Sequence, residues 1–186
     1  MSYLDILKSD INPLTKRVIF AGMLTMALEK EGFSPVVTNN YAVELYTQGN
    51  YEAETIDIVA PVELINKVLP SWDFARDGDF WVNQDLGIKV KSHAEDLDEK
   101  EMQRVAEINF NGATIYLLGV DDLIVNKLTD FASTDDRQDY IWAQEIMELF
   151  INEIDLDYLR DRAAEKGVYE PLQSIINEIL PSEFYK

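Results

Sequence analysis

Residues 38–60 read TNNYAVELYTQGNYEAETIDIVA, and two periodicities meet inside that stretch. Up to Gly49 the apolar positions fall at helical spacing, so NNYAVELYTQG reads as a helix of two or three turns that closes at the glycine. From Thr55 the run TIDIVA is rich in β-branched residues and stops at Pro61, which predicts a buried strand. Both neighbours extend the alternation. On the N-terminal side, SPVVT (34–38) reads as a short strand bounded by Pro35. It is preceded by LTKRVIFAGMLTMALEKEGF (14–33), whose Val18, Ile19, Ala21, Gly22, Leu24, Met26 and Leu28 predict a long buried helix ending at Gly32. On the C-terminal side, PVELINKVLPSW (61–72) opens with proline at a helix-start position. The order to this point is αβαβα.

Further along, FWVNQDLGIKVKS (80–92) and RVAEINFNGATIYLLG (104–119) alternate, and Asn111-Gly112 marks a hairpin, so two or three more strands are expected. From Val120 the pattern is purely helical. Four segments, 120–133, 135–152, 155–167 and 169–180, each carry a leading acidic residue, apolar spacing of three and four, and a break at the end. The sequence therefore predicts a mixed α/β lobe over residues 1–119 and a helical annex over 120–186. The junction near Gly119 has no Pro, Gly or Ser linker, and the annex is expected to pack on the lobe. There is no repeat of fixed period.

Composition removes several classes of function. A chain of 186 residues with 47% hydrophobic content has enough apolar surface for a core. It contains no cysteine, which excludes disulfides, zinc-thiolate sites and thiol nucleophiles. The start, MSYLDILKSDINP, lacks a basic segment followed by an apolar run, and charge interrupts the longest apolar stretch. A cytoplasmic protein without membrane contact is expected. The formal net charge is −19, and residues 121–186 hold 16 acidic against 6 basic groups, a net of −10. Such a surface repels phosphate backbones, so direct nucleic-acid binding is not expected. It serves either as a solvated face or as a docking face for a basic partner.

The runs VVTNNYAVELYTQGNYEAETIDIVAP, FWVNQDLGIKVKS, GATIYLLGVDDLIVNKL and DDRQDYIWAQEIM are similar in order and spacing to the nucleotidyltransferase-like family. That family includes the AbiEii-type toxins and small bacterial proteins, and the resemblance covers most of residues 34–165. It implies a mixed sheet flanked by helices. It also implies a Gly-Gly or Gly-Ser pair after the first strand, where phosphates approach a helix N-terminus, and here that pair is Asn39-Asn40. An Asp-x-Asp of the family's next strand, whose alternate carboxylates converge on divalent metal, falls on Thr55 and Asp57. A third acid, on a later strand, falls on Lys91. Lys127 matches a family lysine that faces the phosphates, and Arg137 and Asp139 match a later R-x-D.

Magnesium takes several oxygen ligands in near-octahedral geometry, and Asp57 alone supplies too few. Lysine at 91 repels a cation. The degenerate site implies a non-catalytic member without cofactor that binds a nucleotide-like ligand or a protein partner. The alternative is an active Mg²⁺-dependent nucleotidyltransferase that uses Asp57 with displaced carboxylates. If the strands bearing Asp57 and Lys91 are neighbours, both side chains project from one face and the ammonium neutralises the carboxylate. On ordinary residue behaviour, Lys127 is a solvated or snorkelling side chain, and Arg137 and Asp139 join a helix-start charge cluster with Asp135 and Asp136. Glu44 points to solvent, and His93, the only histidine, is a surface residue at a strand end. The acidic run HAEDLDEKEMQ lacks the ligand spacing of a calcium loop and reads as a solvated loop or short helix.

Overall fold

The computed structural model describes residues 6–93, 97–110 and 112–180. The chain divides into two compact units, Met1–Leu118 and Gly119–Lys186. The first is built on helix α1 (Pro13–Glu29), strand β1 (Val36–Val37), α2 (Asn39–Tyr46), β2 (Ile56–Val59), α3 (Val62–Val68), β3 (Ala75–Asp77), β4 (Phe80–Asn83), β5 (Ile88–His93), the short α4 (Glu99–Met102), β6 (Ala106–Phe110) and β7 (Ala113–Leu117). A 3-10 turn, Leu69–Trp72, follows α3.

The seven strands among the described residues join one mixed sheet in the order β3-β4-β5-β2-β1-β7-β6. β1 runs antiparallel to β2 and parallel to β7, and β2 runs parallel to β5. Alternation along the strands separates two faces. On one face Trp81, Val90, Ile56, Ile58, Val37, Leu117 and Ile115 are buried. α1 lies on that face, and its Phe20 packs against Phe74 with ring centroids 5.2 Å apart and edge-on to Trp72 at 6.0 Å. The other face carries Phe80, Lys91 and Asp57, in register across β4, β5 and β2.

Five strands follow α3, where two or three were expected. FWVN and IKVKSH are separate strands joined through Gly87, which takes φ +64°, and β3 adds an edge. β3 has no apolar alternation to reveal it, since all three of its residues are exposed. β6 and β7 form the expected hairpin, with Phe110 opposite Ala113 and Gly112 at φ +84°; Asn111 lies outside the described residues. In the acidic run 93–103, Asp98 caps α4 and forms a reciprocal capping box with Glu101, while residues 94–96 lie outside the described residues.

The second unit consists of α5 (Val120–Thr134), α6 (Arg137–Leu149), α7 (Leu156–Glu165) and α8 (Tyr169–Ile179). Its apolar stripes bury Leu123, Ile124, Leu128, Ile146, Leu159, Leu172 and Ile175. A polar knot sits beside them: Tyr158 and Arg162 on α7 both donate to the Asp122 carboxylate, at 2.9 and 3.2 Å. Among the described residues, no helix is long and apolar enough to cross a membrane.

Candidate functional site

The chain enters the site from β1. Thr38 N–H donates to the Asp57 carbonyl at 3.0 Å, extending the β1–β2 ladder by one bond, and the chain then turns into α2. The turn needs left-handed backbone at Asn39, which has φ +51°. Glycine takes that conformation at no steric cost, and asparagine is among the few other residues that adopt it readily. Asn39 therefore preserves the turn while adding a side chain. That side chain reaches His93 on β5, with the amide nitrogen 3.3 Å from the imidazole Nε2.

His93 Nε2 also lies 2.9 Å from Asp57 Oδ1. A carboxylate only accepts, so Nε2 carries the proton and donates to Asp57; the same nitrogen cannot then accept from Asn39. The Asp57–His93 bond is the stronger contact. Asp57 is 9% exposed, and a buried carboxylate without a donor is costly, so His93 meets a need that the sequence assigned to Lys91.

Asp57 and Lys91 do stand opposite each other on neighbouring strands and line one cleft. The ammonium nevertheless leaves the carboxylate and turns over Phe80, 5.8 Å from the ring centroid, next to Lys89 at 3.7 Å. Among the described residues Lys91 forms no ion pair. The expected neutralisation of Asp57 by Lys91 is thus replaced by a histidine bond. His93 is correspondingly half-buried rather than a surface residue. Strand alternation carried the signal, because His93 and Lys91 are two residues apart on β5 and share a face.

The cleft measures about 420 Å³ and is lined by Asn40, Thr55, Asp57 and Lys91 together with Tyr51, Glu52, Glu54 and Phe80. Asn40, Thr55, Asp57 and Lys91, all singled out from sequence, therefore meet in one cavity, and the Asn39 side chain lies against His93, the partner of Asp57. The 51–55 wall is held from behind. Glu44, expected in solvent, is 1% exposed; it binds the Arg17 guanidinium and accepts from Ala53 N–H at 3.0 Å. Arg17 also pairs with Glu52 at 3.3 Å. Burial works against the charge on Arg17, but its bonds to Glu44 and Glu52 prevail and hold its pKa above the ordinary value.

Lys127, Arg137 and Asp139, also singled out from sequence, lie in the second unit. Lys127, expected in solvent, is 2% exposed and pairs with Asp139 at 2.9 Å and Asp130 at 2.8 Å. Its stem is enclosed because α5 and α6 pack along each other. Asp139 turns inward to meet it while Arg137, two residues earlier, stays exposed, so the R-x-D pair splits across the helix. Asp136 caps α6 through Gln138 N–H.

Magnesium does not fit this donor set. Asp57 is the carboxylate that the adjacent strands β2 and β5 bring to the cleft, His93 occupies one of its oxygens, and a lysine faces it from β5. No group of three His, Cys, Asp or Glu able to hold a metal occurs among the described residues.

A mixed sheet whose first strand turns through Asn39 into α2, with Asp57 on the adjacent strand, defines a nucleotidyltransferase-like lobe. Residues 19–179 match the family model described as "Nucleotidyltransferase of unknown function (DUF6036)", and the chain belongs to that family. Solved structures agree on the fold. The antibiotic-resistance factor ANT(2'')-Ia is similar over 88% of this chain and 98% of its own, at 11% identity and a TM-score of 0.60. An antigenic nucleotidyltransferase-like protein from Paracoccidioides brasiliensis is similar over 87% of this chain and 94% of its own, at 12% identity and a TM-score of 0.57. A search of curated proteins finds no match.

Proposed function

We propose that this chain is a binding member of its family, one that holds a nucleotide-like ligand in the cleft above Asp57 and Lys91 and carries out no metal-dependent transfer. The observation that supports it is the bonding of Asp57: its carboxylate is engaged by His93, and the facing position on β5 is a lysine. Two-metal transfer requires several convergent carboxylates. A cleft of about 420 Å³ has the size of a small-molecule site, which favours a ligand over a protein partner as its occupant.

The competing reading is an active nucleotidyltransferase with displaced ligands. The two other carboxylates at the cleft, Glu52 and Glu54, are its candidates, although Glu52 is paired with Arg17. The readings separate when the protein is incubated with labelled nucleoside triphosphates, Mg²⁺ and a panel of hydroxyl, amine and protein acceptors. No label is expected to transfer. Labelled product that disappears in Asp57→Asn would establish the active reading instead.

A further inference from the structure

Resting on the ligand-binding reading, we infer that the cleft takes a metal-free nucleoside monophosphate, with the Lys91 ammonium as the seat of its single phosphate. Two of the carboxylates at the cleft are already answered. Asp57 is bonded to His93 and Glu52 to Arg17. Lys91 forms no ion pair among the described residues and only leans over the Phe80 ring. Although Asp57 stands opposite on β2, its carboxylate is bonded to His93, and the Lys91 ammonium is a cation at the cleft outside any ion pair among the described residues.

One ammonium matches one phosphate. A phosphate monoester carries about two negative charges at neutral pH, and Lys91 together with neutral donors such as the Thr55 hydroxyl can answer them by charge-assisted hydrogen bonds. Each additional phosphate brings more negative charge toward Asp57 and Glu54, in a cavity whose donor set does not accept the magnesium that normally screens it. Aromatic surface at the same mouth, from Tyr51 and Phe80, supplies a stacking partner for a nucleobase and distinguishes a nucleotide from inorganic phosphate. Nothing in the arrangement requires a metal. Lysine at this position therefore replaces the metal's charge toward the ligand, while the histidine supplies Asp57 with a hydrogen-bond donor.

The test is calorimetric titration of the full chain in EDTA with AMP, GMP, CMP and UMP, the matching nucleosides, inorganic phosphate, and ATP with and without Mg²⁺. At least one monophosphate is expected to bind, unaffected by replacing EDTA with Mg²⁺, and about tenfold or more tighter than either its nucleoside or inorganic phosphate. Lys91→Gln should weaken the monophosphate by a similar factor and leave the nucleoside unchanged, and Lys91→Arg should restore most of the loss. A variant that merely misfolds would lose both ligands, and its melting profile would show it. Binding of Mg²⁺–ATP in preference to every monophosphate overturns the inference and leaves nucleotide binding standing. Monophosphate binding indifferent to Lys91→Gln overturns the assignment of the seat. Failure of every nucleotide and nucleoside overturns both the inference and the reading on which it rests.

Discussion

Tyr41 stands in the first turn of α2 with 0% exposure, and its hydroxyl has no hydrogen-bond partner among the described residues. An unsatisfied buried hydroxyl costs stability, so Tyr41→Phe is expected to raise the unfolding free energy by about 1 kcal/mol at pH 7, read from urea denaturation. The same residue sets an alkaline limit. Burial first, and then the charge of Glu44, pushes the Tyr41 pKa well above the usual tyrosine value near 10, with Arg17 opposing. A raised folded pKa means that the contribution of the protonated phenol is complete below the unfolded value near 10 and is lost as pH rises from there toward the folded value. Wild-type stability should therefore fall more steeply above pH 10 than that of Tyr41→Phe, and parallel pH profiles would count against this. The neighbouring misjudgement of Glu44 has the same origin. Helical spacing tells which residues share a face of α2, but the group that covers Glu44 is Arg17, distant in sequence and placed there by tertiary packing. At the cleft, the facing of Asp57 and Lys91 was legible from strand alternation, whereas the choice of His93 as hydrogen-bond partner depends on side-chain reach that no periodicity encodes.

Helix α1 approaches the sheet where a glycine permits it. A Cβ built on Gly22 would lie 2.7 Å from the Ala113 Cβ on β7, closer than two methyl carbons can stand. Gly22→Ala is worth up to about 1 kcal/mol in helix propensity, but forcing the helix off the sheet costs about 1–3 kcal/mol. Net destabilisation is expected, and because the clash is with a single methyl, adding Ala113→Gly should recover part of it. Thermal melts of the single and double variants decide the matter: a Gly22→Ala protein more stable than wild type would show that the helix can shift without loss. In the sequence Gly22 was one small residue in an apolar series, and its role was illegible because close approach involves a strand some ninety positions away. Elements with strong internal pattern were legible: the long α1, the β-branched β2, the β6–β7 hairpin and the four helices of the second unit. β3 was not, being three exposed residues held only by pairing with β4.

Across the whole chain the dominant quantity is a net charge of −19. Two electrostatic effects oppose each other in its response to salt. Like-charge repulsion among exposed carboxylates destabilises the compact state and is screened over a Debye length of about 10 Å at 0.1 M. Favourable pairs weaken as well, but the principal ones, Arg17–Glu44, Lys127–Asp139 and Arg162–Asp122, are largely buried and so are screened much less. Exposed pairs such as Lys67–Glu31 contribute little at any ionic strength. Repulsion is therefore the term that salt changes most. Scanning calorimetry at pH 7 is expected to show Tm rising by about 3 °C between 10 mM and 300 mM NaCl, the shift that about 1 kcal/mol produces in a chain of this size. Choline chloride should act as sodium chloride does, because screening is indifferent to the identity of the cation. A Tm that falls with salt would mean that the pairs outweigh the net charge, and a rise confined to sodium or to a divalent cation would mean that a bound ion rather than screening is responsible.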